Sequence, residues 1–228
     1  MSDVLIRPSL DDVRRALALT PFDAMRAWLR MAPRLRPMER PADQPGSSRL
    51  AGVLVLLYPR GSDWCFILTR RTEAVATHKG QISLPGGAQE GDEPIQQTAL
   101  RETCEEVGVC PGDINLLGAL TPLYVIVSDF TVYPFVGNLS EPPRLRPDPV
   151  EVAQVLEMSL TSLLDDSVKM MERWTIRGVE VDVPFYQVDG LAVWGATAII
   201  LSELEGRLRV VLGLGEPRIP LGGSFDFL

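Results

Sequence analysis

The densest concentration of reactive side chains lies between Gly87 and Val109, where Glu93, Arg101, Glu102, Glu105 and Glu106 follow Leu84-Pro85-Gly86-Gly87. On a helix starting near Pro94, at about 100° per residue, Glu102 and Glu106 lie about 40° apart and Glu102 and Glu105 about 60° apart. The three carboxylates crowd one flank. Ile95, Ala99, Leu100, Thr103 and Val107 fill the adjacent flank, so one helix can pack and present acids together. Like charges three and four residues apart destabilise a helix, and Arg101 is the one adjacent cation, so a further cation is expected. Carboxylate oxygens with no histidine nearby suit a hard ion, Mg²⁺ or Mn²⁺, which binds through a few carboxylates plus substrate phosphates. Such an ion polarises phosphoryl oxygens and acidifies an attacking water, and a free carboxylate can take the proton. Paired glycines let the backbone come close to metal or phosphate. The predicted ligand is a phosphate-bearing metabolite; the plain alternative, a solvated face with accidental acids, loses on spacing.

The remainder of the chain narrows the choice by exclusion. Its 228 residues carry 22 Lys or Arg against 30 Asp or Glu, a net charge of −8, which argues against nonspecific nucleic-acid binding. The single histidine, His78, removes every site that needs two imidazoles. It is read as a substrate contact at most, not as a base. Cys65, Cys104 and Cys110 match neither a zinc pattern nor a C-x-x-C pair. A reduced cytoplasm is the simplest reading, with a disulfide left open, and Cys104 is read as inert for want of an activating partner. The longest apolar stretches, Val53–Tyr58 and Ala192–Leu201, fall short of the roughly 20 residues of a membrane span. The first residues lack a basic start and an apolar run, so no membrane association is expected and the localisation is read as cytoplasmic.

Several elements must position the acids. Residues Ser9 to Ala32 read as helical with a break at Thr20-Pro21, and the Pro- and Arg-rich stretch to Ser48 as a connector. Val53–Tyr58 and Trp64–Thr69 read as antiparallel strands around a turn. Leu116–Leu120, Leu123–Val127, Thr131–Val136 and Val150–Leu156 read as further strands, and Glu141–Pro149 as an irregular loop. Ser159–Asp166 reads as a short helix, Trp174–Val188 as a strand pair around Arg177-Gly178, and Gly195–Leu204 as a second main helix. Trp28 and Trp194 are read as packing residues. The mixture indicates α/β layering with a mixed sheet. The expected division is an N-terminal helical extension and linker (1–48), a catalytic domain (49–205), and a C-terminal strand or tail (206–228).

The residues from Gly87 to Val109 resemble the Nudix box: Gly87, five residues, Glu93, seven residues, Arg101-Glu102, Thr103, Cys104, Glu105-Glu106, Val107, Gly108, Val109. Thr103, in an aliphatic slot, is the one departure. The resemblance implies an α/β/α sandwich and hydrolysis of a nucleoside diphosphate linked to another moiety. It implies Mg²⁺ or Mn²⁺ held by Glu102, Glu105 and Glu106 with a Gly86 or Gly87 carbonyl, catalytic roles for Glu102 and Glu105, and an Arg101 that orients a glutamate rather than touching substrate. Glu93 is open between metal support and pairing with Arg101, with the pairing favoured. The general base is open between Glu102 and a later carboxylate, Glu141, Asp148 or Glu151.

Upstream, Ile67-Leu68-Thr69-Arg70-Arg71-Thr72, Gly80 and Leu84-Pro85-Gly86-Gly87 are similar in spacing to the coenzyme A pyrophosphatase branch, as are His78-Lys79-Gly80-Gln81 and Val193–Thr197. The branch has arginine where this chain has Ala76; Thr72 and Leu84 replace serine and phenylalanine. The resemblance implies substrate contacts from Arg70, Arg71, His78, Lys79, Gly80, Gln81 and Gly86, and products 3′,5′-ADP and 4′-phosphopantetheine. Ala76 keeps a second substrate class open, namely ADP-ribose, dinucleotides or nucleoside triphosphates. A non-catalytic nucleotide-binding module is the third alternative, against which the intact glutamates speak. The expected partner is a small nucleotide, and a homodimer is possible.

Overall fold

A computed structural model describes residues 6–33, 48–72 and 80–218. Two helices, α1 (Leu10–Leu17) and α2 (Ala24–Met31), flank the break expected at Thr20-Pro21. Ser9 caps α1 in a reciprocal arrangement with Asp12, and Asp23 caps α2. The connector expected to Ser48 lies almost entirely outside the described residues.

The main sheet is built on β1 (Arg49–Arg60), β2 (Asp63–Arg71), β3 (Ile82–Ser83), β5 (Asn115–Ala119) and β7 (Phe130–Asn138), in the order β3-β2-β1-β7-β5. The strands β4 (Gly86–Ala88), β6 (Leu123–Val125) and β8 (Val152–Ser159) join it by pairing β1, β7 and β2 respectively. Pairing of β1 with β7 is parallel and that of β1 with β2 antiparallel, so the sheet is mixed as expected. Both faces of β1 are buried, with Leu54, Leu56 and Tyr58 toward one core and Val55 and Leu57 toward the other.

The helix α3 (Ile95–Val107) covers the first face; α1, α2 and α5 (Gly195–Val211) cover the second, giving helices on both sides of the sheet. A short helix, α4 (Leu160–Leu164), follows β8. A second sheet of β9 (Lys169–Ile176), β10 (Val179–Val188) and β11 (Leu191–Trp194) leads into α5. No helix is long and apolar enough to cross a membrane among the described residues.

Three features add to the sequence expectations or alter them. Gly86–Ala88, to which the sequence reading gave no element, form strand β4. A further strand, β11, precedes α5, and α5 extends past Leu204 to Val211, so residues 206–211 continue a helix ahead of the tail. Apolar periodicity fades there because Glu203, Glu205, Arg207 and Arg209 look like a solvated surface, yet all four are buried. Third, of the cysteine pairings left open, Cys104 and Cys110 form a disulfide, while Cys65 is free and buried. The chain reverses at Gly108 (φ 76°) and carries Cys110 back to within 4.4 Å of Cys104, Cα to Cα.

The charges on α5 are satisfied internally. Lys169, fully buried, meets Glu205 at 3.1 Å and Asp166 at 3.0 Å, and Arg209 meets Glu205 at 2.6 Å and Asp166 at 2.5 Å. Tyr186 donates to Glu205 at 2.7 Å. Removing one member of such a network leaves its partners desolvated and unmatched. Glu205→Ala is therefore expected to destabilise the fold by about 3–5 kcal/mol in urea unfolding, whereas an exposed control, Asp11→Ala in its surface pair with Arg15, falls within about 1 kcal/mol.

Candidate active site

The acids sit on α3 as the spacing predicts, but their surroundings are graded rather than uniform. Pro94 opens the helix, and Gly108, in the left-handed region, closes it by donating its N–H to the Cys104 carbonyl at 2.9 Å. The buried stripe contains Ala99, Leu100, Thr103, Glu106 and Val107. Thr103, the departure from the box, is buried and returns its hydroxyl to the Ala99 carbonyl at 2.7 Å, so its polarity is satisfied inside an apolar slot. Ile95 is only half-buried. Glu106 thus points into the interface with the sheet at 2% exposure, Glu102 is half-buried and Glu105 is exposed.

Arg101 holds the outer part of the cluster. Its Nη1 donates to Glu102 Oε1 at 2.9 Å and to Glu105 Oε2 at 3.1 Å. Its Nε and Nη2 grip Glu93 at 3.2 and 2.9 Å, and Nη2 also reaches the Ala88 carbonyl at 3.1 Å. The fork on Glu93, helped by Glu90 N–H and the Thr98 hydroxyl, lowers the Glu93 carboxyl to about 2. Glu93 therefore sits in a structural pairing with Arg101. Burial pushes Glu102 above the usual carboxylate range although Arg101 opposes it, and the charges on Glu105 and Glu151 add to the rise.

The inner part is held from the sheet. Burial pushes Glu106 up to about 8, against the pull of Arg71 and a backbone hydrogen bond from Gly86. Arg71 Nη1 lies 3.4 Å from Glu106 Oε1, and the Thr69 hydroxyl 3.5 Å from Oε2. Strand β4 brings Gly87 against Glu102 so closely that a Cβ at position 87 would collide with the carboxylate. That cradle is why a glycine is required there.

Among the described residues, no set of three acidic, thiol or imidazole side chains already converges as a metal cage. The arginines instead occupy the carboxylates that the sequence assigned to Mg²⁺ or Mn²⁺. The donor chemistry nevertheless fits a hard divalent ion: three carboxylates on adjoining helix positions, a Cβ-free backbone beside one of them, and an acid whose burial outweighs the pull of its Arg71 partner.

Of the expected substrate contacts, Arg71 is engaged with Glu106 and with Glu151 at 3.6 Å, and Gly86 serves Glu106 through its backbone. Arg70 pairs across the sheet with Ile82 and Gln154. The Gln81 carbonyl accepts from the Arg71 N–H at 2.9 Å, and Gly80 turns with φ 65° just before it. His78 and Lys79, like Ala76, lie outside the described residues. Trp28 is buried and bonds Glu203 at 3.1 Å, as a packing residue does. Trp194 is half-buried and stands edge-on to Trp174 at 5.4 Å. The contacts of Thr69 and Arg71 with Glu106 had no signal in the box, because they depend on the register of a strand about 35 residues upstream.

The fold, the box geometry and the sequence agree on a class. A profile of the NUDIX domain matches residues 48–176, and the chain belongs to the Nudix family. It is 36% identical over 199 residues to the Nudix hydrolase NudL of Pectobacterium atrosepticum, covering 83% of this chain and 94% of that one. It is 34% identical over 163 residues to the mitochondrial coenzyme A diphosphatase NUDT8 of Mus musculus, covering 69% and 77%. The crystal structure of the Nudix hydrolase RenU of M. smegmatis is similar with a TM-score of 0.49 at 20% identity, over 74% of this chain and 88% of that one.

The Glu106 carboxyl gives a pH test. Its proton is held more tightly in the folded protein than in the unfolded chain, where the usual value is 4.5. The stabilisation this supplies is complete below 4.5 and is lost as pH rises toward about 8. Without added metal, the difference in melting temperature between the parent and Glu106→Gln should therefore change across that window, with the parent losing ground as pH rises. Added Mg²⁺ should recover the parent selectively at high pH, where the carboxylate is ionised. Thermal melts of both proteins from pH 5 to 8.5 check this, and parallel pH profiles would contradict it.

Proposed function

We propose that the protein is a divalent-metal-dependent hydrolase of a diphosphate linkage in nucleoside diphosphate derivatives, with coenzyme A or acyl-coenzyme A as substrate. The observation that carries this reading is the cradle at Glu102, Glu106 and Gly87, where two carboxylates are pushed up by burial and backbone approaches without a side chain in the way. Glu102, Glu105 and Glu106 with the Gly87 carbonyl would hold Mg²⁺ or Mn²⁺. When bound, that ion supplies charge neutralisation on the diphosphate and acidification of water. The chain's own residues set the stage: Arg101 fixes the directions of Glu102 and Glu105, and Gly86 and Arg71 fix Glu106.

The coenzyme A assignment is supported by the upstream residues Ile67–Thr72 and Leu84–Gly87, and by relatives named coenzyme A diphosphatases. Ala76, where that branch has arginine, favours the second reading, in which ADP-ribose, a dinucleotide or a nucleoside triphosphate is cleaved instead.

Incubation with coenzyme A, acyl-coenzyme A, ADP-ribose, NADH and nucleoside triphosphates, with Mg²⁺ or Mn²⁺ and mass identification of products, decides between them. The expected products are 3′,5′-ADP and 4′-phosphopantetheine. ADP-ribose cleavage without coenzyme A cleavage selects the second reading, and no turnover of any compound discards the hydrolase. Glu106→Gln is expected to lower turnover by about 100-fold or more, and Gly87→Ala to weaken metal binding by about 10–100-fold through displacement of Glu102.

A further inference from the structure

The loop from Ser140 to Val150 is tied directly to the helix that carries the acids. Arg146 N–H donates to the Val107 carbonyl and Asp148 N–H to the Glu106 carbonyl, each at 2.9 Å, so the loop satisfies carbonyls that the end of α3 would otherwise leave open. From the other side, Thr72 N–H donates to the Glu151 carbonyl at 2.9 Å and its hydroxyl to the Val150 carbonyl at 2.6 Å. Glu151 is thereby pinned between α3 and the end of β2. The next residue, Val152, is the sheet partner of Arg71, and the register slips by one residue there, so that Ala153 has no partner opposite. A bulge of this kind re-aims the side chains beside it.

The side chains follow the same geometry. Arg71 reaches Glu106 with Nη1 at 3.4 Å and Glu151 with Nη2 at 3.6 Å, one guanidinium between two carboxylates from different elements. The charge on Glu151 also contributes to the upward shifts of both Glu102 and Glu106, which places it within electrostatic reach of the whole cradle. Its side chain is 44% exposed, so water can reach it, whereas the Glu106 side chain is 3% exposed. The other loop carboxylates are placed differently. Asp148 spends Oδ1 on the Val150 N–H at 2.8 Å, and Glu141 lines a groove of about 650 Å³ with Gly108 and Asp113. Glu102 is held by Arg101 and lies against Gly87.

We propose that Glu151 accepts the proton of the attacking water, and that Arg71 is the positioning residue that keeps it beside the cradle. The inference rests on the hydrolytic reading above. In the step, a water O–H bond breaks and its proton passes to a Glu151 oxygen. The water oxygen forms a bond to phosphorus, and the bridging P–O bond breaks with its electron pair leaving on the departing phosphate. Arg71 thus acts through Glu151, in place of the substrate contact expected for it.

Steady-state kinetics, with Mn²⁺ binding followed by paramagnetic resonance, test both assignments. Glu151→Gln should lower kcat by about 100-fold or more while KM and Mn²⁺ affinity stay within about threefold of the parent. Glu141→Gln should behave as the parent. Arg71→Met should lower kcat without raising KM and, because Arg71 also contacts Glu106, weaken Mn²⁺ binding; its further cost in the Glu151→Gln background should be smaller than its cost alone, since part of its effect passes through Glu151. Arg71→Lys should recover part of kcat. Glu151→Gln at parental kcat overturns the assignment of the base, and so does an equal loss of Mn²⁺ affinity, which would make Glu151 a metal ligand. An Arg71→Met variant with raised KM and a fully additive double variant overturns the positioning role. A parent that cleaves no diphosphate discards the hydrolytic reading itself, an outcome distinct from an active parent matched by an active Glu151→Gln.

Discussion

A carboxylate buried at a helix–sheet interface governs the architecture around it. Glu106 cannot turn outward, because the helix that carries it is fixed by Ala99, Leu100 and Val107 in the core beneath. Desolvating an acid is costly unless hydrogen bonds, a counter-charge, a proton or a metal ion offsets the loss. The protein supplies the first two from two separate elements: Thr69 and Arg71 from β2, and the Gly86 amide from β4. Pairing of β4 with β1 and of β2 with β8 can thus be seen as the means by which polar groups reach one point on α3.

The two arginines divide the work by depth. Arg101 belongs to the helix and serves the outer acids, so the repulsion among glutamates three and four residues apart is relieved within one element. Its tight fork on Glu93 anchors it to the chain ahead of the helix, which keeps its remaining nitrogen aimed at Glu102 and Glu105. Arg71 belongs to the sheet and reaches the inner acid, and through Glu151 it also ties in the loop that follows β7. A cluster of like charges is therefore held together by two guanidinium groups from different elements.

Much of this was legible from the sequence where one local rule decided the outcome. The helix, its glutamate spacing and its stop at Gly108 follow from 3.6-residue periodicity and from glycine's tolerance of positive φ, and the paired strands follow from apolar runs around turn residues. The layering and the mixed sheet came out as expected. What was not legible depended on long-range register. Arg71 reads as a free cation until β8 is laid beside β2, and its bulge offsets the pairing by one residue. Glu151 reads as one of three equivalent acids until the loop is tied to the carbonyls of Glu106 and Val107. The far half of α5 reads as a polar surface because a sequence does not show that Glu205 will meet Lys169 from β9.

That buried network on α5 bears on the site from the opposite face of the sheet. Arg207 donates to the carbonyls of Ala16 and Leu19, at 3.3 and 3.2 Å, where α1 ends, and pairs with Glu203, which also accepts from Trp28 of α2. The N-terminal helices are thus docked by directional polar contacts as well as by apolar burial. Directional contacts admit one register where a purely apolar seam tolerates several, and their loss leaves charges without solvent. At its other end α5 meets β3, with the Thr197 hydroxyl donating to the Ile82 carbonyl at 3.2 Å, and Ser83 beside it faces Thr69 of β2. Thr69 touches Glu106, so the helix behind the sheet and the acid in front of it share a short chain of contacts through two strands. The extension, α5 and the β3 edge form a continuous backing to the sheet, and Thr69 is the point at which that backing meets the inner carboxylate.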